Sequence, residues 1–395
     1  MPHTIHRSST TSAMLAGVVT AIVGFTSSFA VVLTGLRQLG ATADQASSGL
    51  LVLCLTMGAG SVWFSWRYRM PITLAWSTPG AALMAGAAAP AGGFASAVGA
   101  FVVAGVLIAL CGLVKPLGRA VARIPTALAN AMLAGVLLVL CVEPVKAAMV
   151  SPAAILPVIA VWLVCMRFAR RWAVPAALAA AVAVILASGS LGHLGAAPLS
   201  PVVRVVTPQF DLSTVIALAV PLFLVTMTSQ NIPGMAVLSS FGYRPPLAPP
   251  LLYTGAATAV GAFGGAHAIN LAAISAALAA GPQAGSDPGR RWVAGVSTGV
   301  FYLLFGPLAA AVTTVSDAAP QGLMATIAGL ALIGTFAASA GAALADGQHR
   351  EAAAITFLVA ASGLTIAGIG AAFWGLVAGA GYLLLMRQWR TTTTG

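Results

Sequence analysis

The sequence predicts an all-α integral membrane protein of fourteen transmembrane segments, arranged as seven-plus-seven inverted repeats, with short extended segments before half-helices at the third and tenth positions. Three observations predict it. The composition is 59% hydrophobic and only 6% charged, against about 25% charged residues in an ordinary soluble domain, and a water-soluble core of this size could not hide so much apolar surface. Apolar runs near 20 residues recur along the chain, the length that crosses a hydrocarbon layer at the helical rise of about 1.5 Å per residue. The basic residues fall on alternate loops, as fourteen crossings require.

The spans follow in order. The apolar run at 13–36 comes after His6 and Arg7 and resembles a secretory signal only in outline, being too long and lacking a cleavage site, so it is span 1. Spans 2 to 7 fall at 46–66, 71–88, 94–114, 125–142, 151–168 and 172–188. A polar connector containing Gly and Pro, 189–210, precedes spans 8 to 14 at 212–241, 246–263, 266–281, 292–312, 322–344, 351–369 and 371–386. The first repeat is expected over residues 1–190 and the second over 211–395.

Loop charge tests the count, because one missed or invented span would exchange the sides of every later loop. With a cytoplasmic N-terminus, Arg7, Arg67, Arg69, Lys115, Arg119, Arg123, Arg167, Arg170, Arg171, Arg244, Arg290, Arg291, Arg350, Arg387 and Arg390 lie inside. Only Arg37, Lys146 and Arg204 lie outside. This asymmetry predicts a multi-pass protein of a bacterial inner membrane with both termini in the cytoplasm. A chain without 71–88 and 266–281 would scramble the bias. Seven spans per half, an odd number, inverts the second half and lets two related halves share a midplane site.

Other classes are excluded. The net charge of +11 is spread thinly over short loops, with no basic patch or aromatic-basic motif for nucleic acid. Cys54, Cys111, Cys141 and Cys165 sit in apolar runs without metal spacing and receive neither disulfide nor ligand roles. No P-loop, dinucleotide fingerprint, HExxH or serine-nucleophile motif is present, so no enzyme, cofactor, metal or ATP coupling is expected. The driving force is then an ion gradient or the substrate's own. Asp44, Glu143, Asp211, Asp287, Asp317, Asp346 and Glu351 all fall at span ends or in loops, where they read as solvated groups or caps; Asp211 suits an N-cap, and Glu351 with Asp346 is the weaker candidate for a gate.

The chemistry is expected at the third and tenth spans. Thr73 to Trp76 has strand-like composition, and Ser77 or Thr78 followed by Pro79 is a helix start: a hydroxyl cap, then proline at the first turn. Gly264 and Gly265 break the preceding helix, a short segment through His267 can run extended, and Asn270 is read as the N-cap of a second half-helix. Two such N-termini facing each other make an anion site without Arg or Lys; the alternative is a kinked continuous helix at Pro79 and packing at the glycines. His267 lies well inside the membrane and is the candidate for proton coupling or substrate contact, with a packed neutral imidazole as the other reading. Thr226 to Asn231 places polar side chains in an apolar helix, so Gln230 and Asn231 are candidate substrate contacts if the helix continues past Pro233. Ser27 and Ser28 are the matching positions of span 1.

The stretches Ala75–Gly80, Thr228–Gly234 and Gly265–Leu271 resemble those of the benzoate:proton symporter (BenE) family, over nearly the whole chain. The resemblance implies import of benzoate with a proton. It also implies a fold similar to the uracil permease and sulfate transporter group, with a core domain of spans 1–4 and 8–11 and a gate domain of spans 5–7 and 12–14. By position it puts Ser77 and Thr78 on one side of the substrate and His267 to Asn270 on the other. The acidic residues typical of uracil permeases are replaced here by Gln230 and the 267–270 stretch, which favours an anion over a nucleobase and leaves the proton carrier open. Expected partners are a small aromatic carboxylate, a proton and the lipid bilayer, with a homodimer left open. Trp76 and Phe263 could touch the ring or merely pack. An anion channel of the same fold, or a symporter for another monocarboxylate or a nucleobase, is the alternative.

Overall fold

The computed structural model describes residues 2–114, 116, 125–189, 200–273, 275–366 and 369–393. Lys115, Arg119 and Arg123 of the charge pattern lie outside the described residues, as do 190–199 of the connector and Ile274. Span 1 is two helices, Pro2–Thr26 and Phe29–Gln38, broken at Ser27 and Ser28. The other long spans are Ala43–Tyr68 (2), Gly93–Leu113 (4), Thr126–Val150 (5), Pro152–Phe168 (6), Ala173–Ala187 (7), Leu212–Ser240 (8), Ala248–Gly261 (9), Leu323–Ala345 (12) and Ala371–Thr393 (14). Span 11 runs from Trp292–Phe305 through a short 3-10 turn into Ala309–Asp317. The third and tenth segments each pair a strand with a half-helix: β1 (Leu74–Trp76) before Thr78–Ala85, and β2 (Ile269–Leu271) before Ala276–Ala280. Fourteen crossings return the chain to the side it started from, the terminal side.

Several boundaries differ from expectation, and at spans 5 and 13 the reason is visible. Span 5 runs on to Val150 because Pro144 does not end it; the proline ring packs against Gly329 of span 12, whose missing side chain makes room. Helices inside a membrane tolerate proline when neighbours enclose the freed carbonyl. Span 13 is shorter, Arg350–Ala361, ending at Gly363 in the left-handed region (φ 68°). The segment beyond it forms a small antiparallel pair, β3 (Thr365–Ile366) with β4 (Ile369–Gly370), in place of the expected last turns of helix.

Span 8 explains its own irregularity. Pro221 and Pro233 cannot donate to the preceding turn and crowd its carbonyl. Each follows a widened π-helical turn, Val215–Ala219 and Met227–Asn231, and the helix continues to Ser240. Asp211 caps the start of this span, accepting from Thr214 N–H at 2.8 Å. Hydrogen bonds from the Ser213 and Thr214 hydroxyls hold its carboxyl down to about 2.

The packing repeats under exchange of the halves. Span 4 lies against span 9 and span 11 against span 2, the same pair with the repeats exchanged. Spans 6 and 7 pack together, as do 13 and 14; span 5 packs on span 12. Glycines close both equivalent interfaces reciprocally. A Cβ on Gly58 would lie 2.8 Å from Gly299 O and one on Gly299 2.6 Å from Gly58 O. The corresponding distances are 2.7 Å for Gly105 to Gly255 O and 2.6 Å for Gly255 to Gly105 O. Small residues allow this close backbone approach, on which helix association in lipid depends.

The three basic residues away from the terminal side are each matched by a carboxylate: Arg37 to Asp317 at 2.5 Å, Lys146 to Glu143 at 2.9 Å and Arg204 to Asp44 at 2.7 Å. The charge asymmetry between the two faces is therefore larger than a count of bases alone suggests.

Candidate functional site

β1 and β2 run antiparallel, with Leu74 opposite Leu271, Ala75 opposite Asn270 and Trp76 opposite Ile269. The ladder extends one residue further at each end: Ser77 N–H donates to Ala268 O at 2.8 Å, and Ala272 N–H donates to Thr73 O at 3.0 Å. A two-stranded ladder leaves an unpaired edge on each strand, which hydrocarbon cannot satisfy. Neighbouring helices supply hydroxyls instead. Ser61 of span 2 accepts from Leu74 N–H at 2.8 Å, and Thr258 of span 9 accepts from Ile269 N–H at 3.1 Å. Spans 2 and 9 occupy matching positions in the two repeats, so the same device serves both strands.

Ser77 caps the third half-helix. Its Oγ accepts from Gly80 N–H at 3.1 Å and lies 2.9 Å from Thr226 Oγ1 of span 8. Pro79 has no N–H, and Ala81 N–H returns to Ser77 O. Thr78 N–H is the donor left unused at this end among the described residues.

The tenth segment differs from expectation. Asn270 sits in the middle of β2 and caps no helix. The half-helix starts after Ser275, which makes no side-chain cap bond, and is only five residues long. The reason is the ladder: residues through Ala272 are held extended by pairing with β1, so helix begins only beyond it. Of the two facing, capped N-termini expected, the structure therefore has only that of the third segment. With its amide oriented to satisfy both ends, Asn270 donates to Leu271 O at 2.8 Å and accepts from Ser77 N–H at 3.1 Å. Asn231 is also committed: its Oδ1 accepts from Leu271 N–H at 2.9 Å, tying span 8 to β2. Ser28 accepts from Trp76 Nε1–H at 2.8 Å, and both Ser27 and Ser28 donate to Gly24 O at 3.2 Å, which stitches the break in span 1 to β1.

Trp76 is buried, its ring 5.5 Å from Phe25, whereas Phe263 lies exposed in the turn before β2. Trp76 fits the packing reading; Phe263, on the surface, does not.

Unspent hydrogen-bonding capacity is concentrated in few places. His267 is fully buried and neither ring nitrogen has a partner among the described residues. Gln230 is 6% exposed, and Ser229 Oγ is buried without a partner. Thr78 and His267 are the residues next in sequence to Ser77 and Ala268, the last hydrogen-bonded pair at that end of the ladder. No carboxylate joins this group: Asp346 meets His349 at 2.7 Å, Glu351 accepts from Tyr382 of span 14, and the remaining acids stay at span ends. The weaker gate reading of Asp346 and Glu351 finds no support in these local contacts. Thr226, Ser61 and Thr258 were not singled out from the sequence for the parts they play. A hydroxyl in an apolar span does not reveal which strand or half-helix it serves.

A family model described as benzoate membrane transport protein matches residues 7–385. The chain belongs to this family. Similar proteins include inner membrane protein YdcO of Escherichia coli (strain K12), 37% identical and covering 93% of both chains. The benzoate membrane transport protein of Acinetobacter baylyi is 29% identical over 95% of both. Among solved structures, the transmembrane domain of a cyanobacterium bicarbonate transporter, BicA, superimposes with a TM-score of 0.60 at 16% identity, over 93% of this chain and 97% of that one. That likeness concerns the fold, seven-plus-seven inverted repeats. Membership of the family makes the chain a membrane transporter.

Proposed function

We propose that the chain is a secondary active transporter that imports benzoate, or a similar aromatic carboxylate, with a proton by alternating access, its termini in the cytoplasm. The observation that carries this reading is His267, a fully buried imidazole with two unsatisfied nitrogens, next in sequence to the last pair of the ladder, as is Thr78 with its unused N–H. The carboxylate accepts from Thr78 N–H and from the Gln230 amide, at the positive end of the third half-helix. An anion alone or a proton alone is costly at this depth, whereas a carboxylate with an imidazolium is a hydrogen-bonded neutral pair. The absence of acids from the described group suits an anion, which a buried carboxylate would repel, better than a nucleobase, which needs an acceptor.

Spans 1–4 and 8–11 form the core that carries the substrate, and spans 5–7 with 12–14 form the gate. The packing of span 5 on 12, of 6 on 7 and of 13 on 14 supports that division. Uptake of labelled benzoate into proteoliposomes is expected to rise when the outside is acidified. Uptake indifferent to the proton gradient would sink the symport reading.

A further inference from the structure

On the terminal side, a cavity of about 250 Å³ opens where span 1, the tenth half-helix and the turn before span 7 meet. That is smaller than the roughly 300–1,000 Å³ of sites for drug-sized ligands and suits a single small ring. Ser12, Leu15 and Val19 line it from one face of span 1, at the spacing of successive helical turns. Leu278 and Gln283 face them from the tenth segment, and Arg171 closes the cavity from the turn before span 7.

Arg170, Arg171 and Arg244 make no ion pair or ring contact among the described residues, and of these three only Arg171 lines the cavity. Arg69 and Arg167 lie over aromatic rings, while Arg291 and Arg350 donate to backbone carbonyls. The acids on this side are engaged: Asp287 with Arg290, Asp346 with His349, Glu351 with Tyr382. Arg171 makes no ion pair among the described residues. A guanidinium without a protein counter-ion, an amide beside it and an aliphatic wall opposite form the complement of a molecule with a carboxylate at one end and an apolar ring at the other.

We propose that this cavity is a second substrate site, an inner vestibule in which Arg171 takes the carboxylate of an aromatic acid and Leu15, Val19 and Leu278 hold its ring. The inference rests on the transport of aromatic carboxylates proposed above. The vestibule is separate from the central group: Ser28 lies nine positions along span 1 from Val19, about 13 Å at the helical rise. It also lies on the seam between the elements assigned to the core and the one assigned to the gate. An occupant touches both.

The test is the KM for labelled benzoate presented to each face of full-length protein in proteoliposomes sorted by orientation, for the wild type, R171A and R171K. R171A is expected to raise the terminal-side KM relative to the opposite-side KM about tenfold, the effect of one charge-assisted carboxylate contact, and R171K to restore most of it. Wild-type transport with an unchanged ratio in R171A overturns the vestibule and leaves the transport function standing. An equal rise on both faces also overturns it, because Arg171 then acts on the fold or the central site. Failure of the wild type to move or bind benzoate, read by thermal shift, removes the functional reading and the vestibule with it.

Discussion

At the scale of residues, adjacent amides in span 8 have different work. Asn231 is fully buried and satisfies Leu271 N–H, whereas Gln230 makes no hydrogen bond among the described residues. Asn231→Ala strands a backbone donor away from water, at a cost of about 1–3 kcal/mol, and is expected to lower the melting temperature of the purified protein. Gln230→Ala leaves the melting temperature of the ligand-free protein near that of the wild type and weakens the stabilisation by benzoate. The opposite pattern would reverse the two assignments. The sequence exposes the polar run, because several amides and hydroxyls in an apolar helix stand out. It does not say which of them faces a strand, since that depends on a π turn and on a partner 40 positions away. Asn270 fails for the same reason: a good cap by residue type, it is claimed by pairing with β1.

At the scale of elements, the interruptions in spans 3 and 10 were readable because Pro79 and Gly264–Gly265 are local signals. The pairing of three-residue strands across the two repeats was not, because nothing local encodes it. The glycine contacts were likewise hidden among many glycines. Gly58 and Gly105 each face a backbone carbonyl of the partner helix within 2.8 Å of a virtual Cβ. Gly58→Ala and Gly105→Ala must push those helices apart, at about 1–3 kcal/mol each. Thermal unfolding in detergent should show both variants destabilised to a similar degree, because each disturbs one of two equivalent interfaces. Gly334→Ala, in an open helical position of span 12, should be neutral or stabilising. Loss of stability at Gly334 alone would contradict this account of the interfaces.

For the whole molecule, fourteen spans were legible from loop charge, a global property that survives errors of several residues at each boundary. The structure adds that the few bases on the far face are neutralised by neighbouring acids. A consequence for transport follows from the central group, which offers an imidazole and no carboxylate among the described residues. If one anion crosses with one proton on that group, the loaded carrier is neutral. Benzoate uptake driven by a fixed pH gradient is then expected to keep its rate when the membrane potential is clamped with potassium and valinomycin. A rate that follows the potential would mean a different charge stoichiometry, and a steady benzoate current in a planar bilayer would indicate a channel.

The short ladder between β1 and β2 also dictates an order of assembly. Leu74 and Leu271 are neighbours in space but distant along the chain, and contacts of such wide separation form late. During synthesis the third segment reaches the bilayer with one edge already served by Ser61 and the other bare, and it stays so until the tenth segment arrives. Nascent chains stopped before the tenth segment therefore carry an exposed strand edge within the lipid. The first half is a half-finished product in need of shelter, and the second half is what completes it.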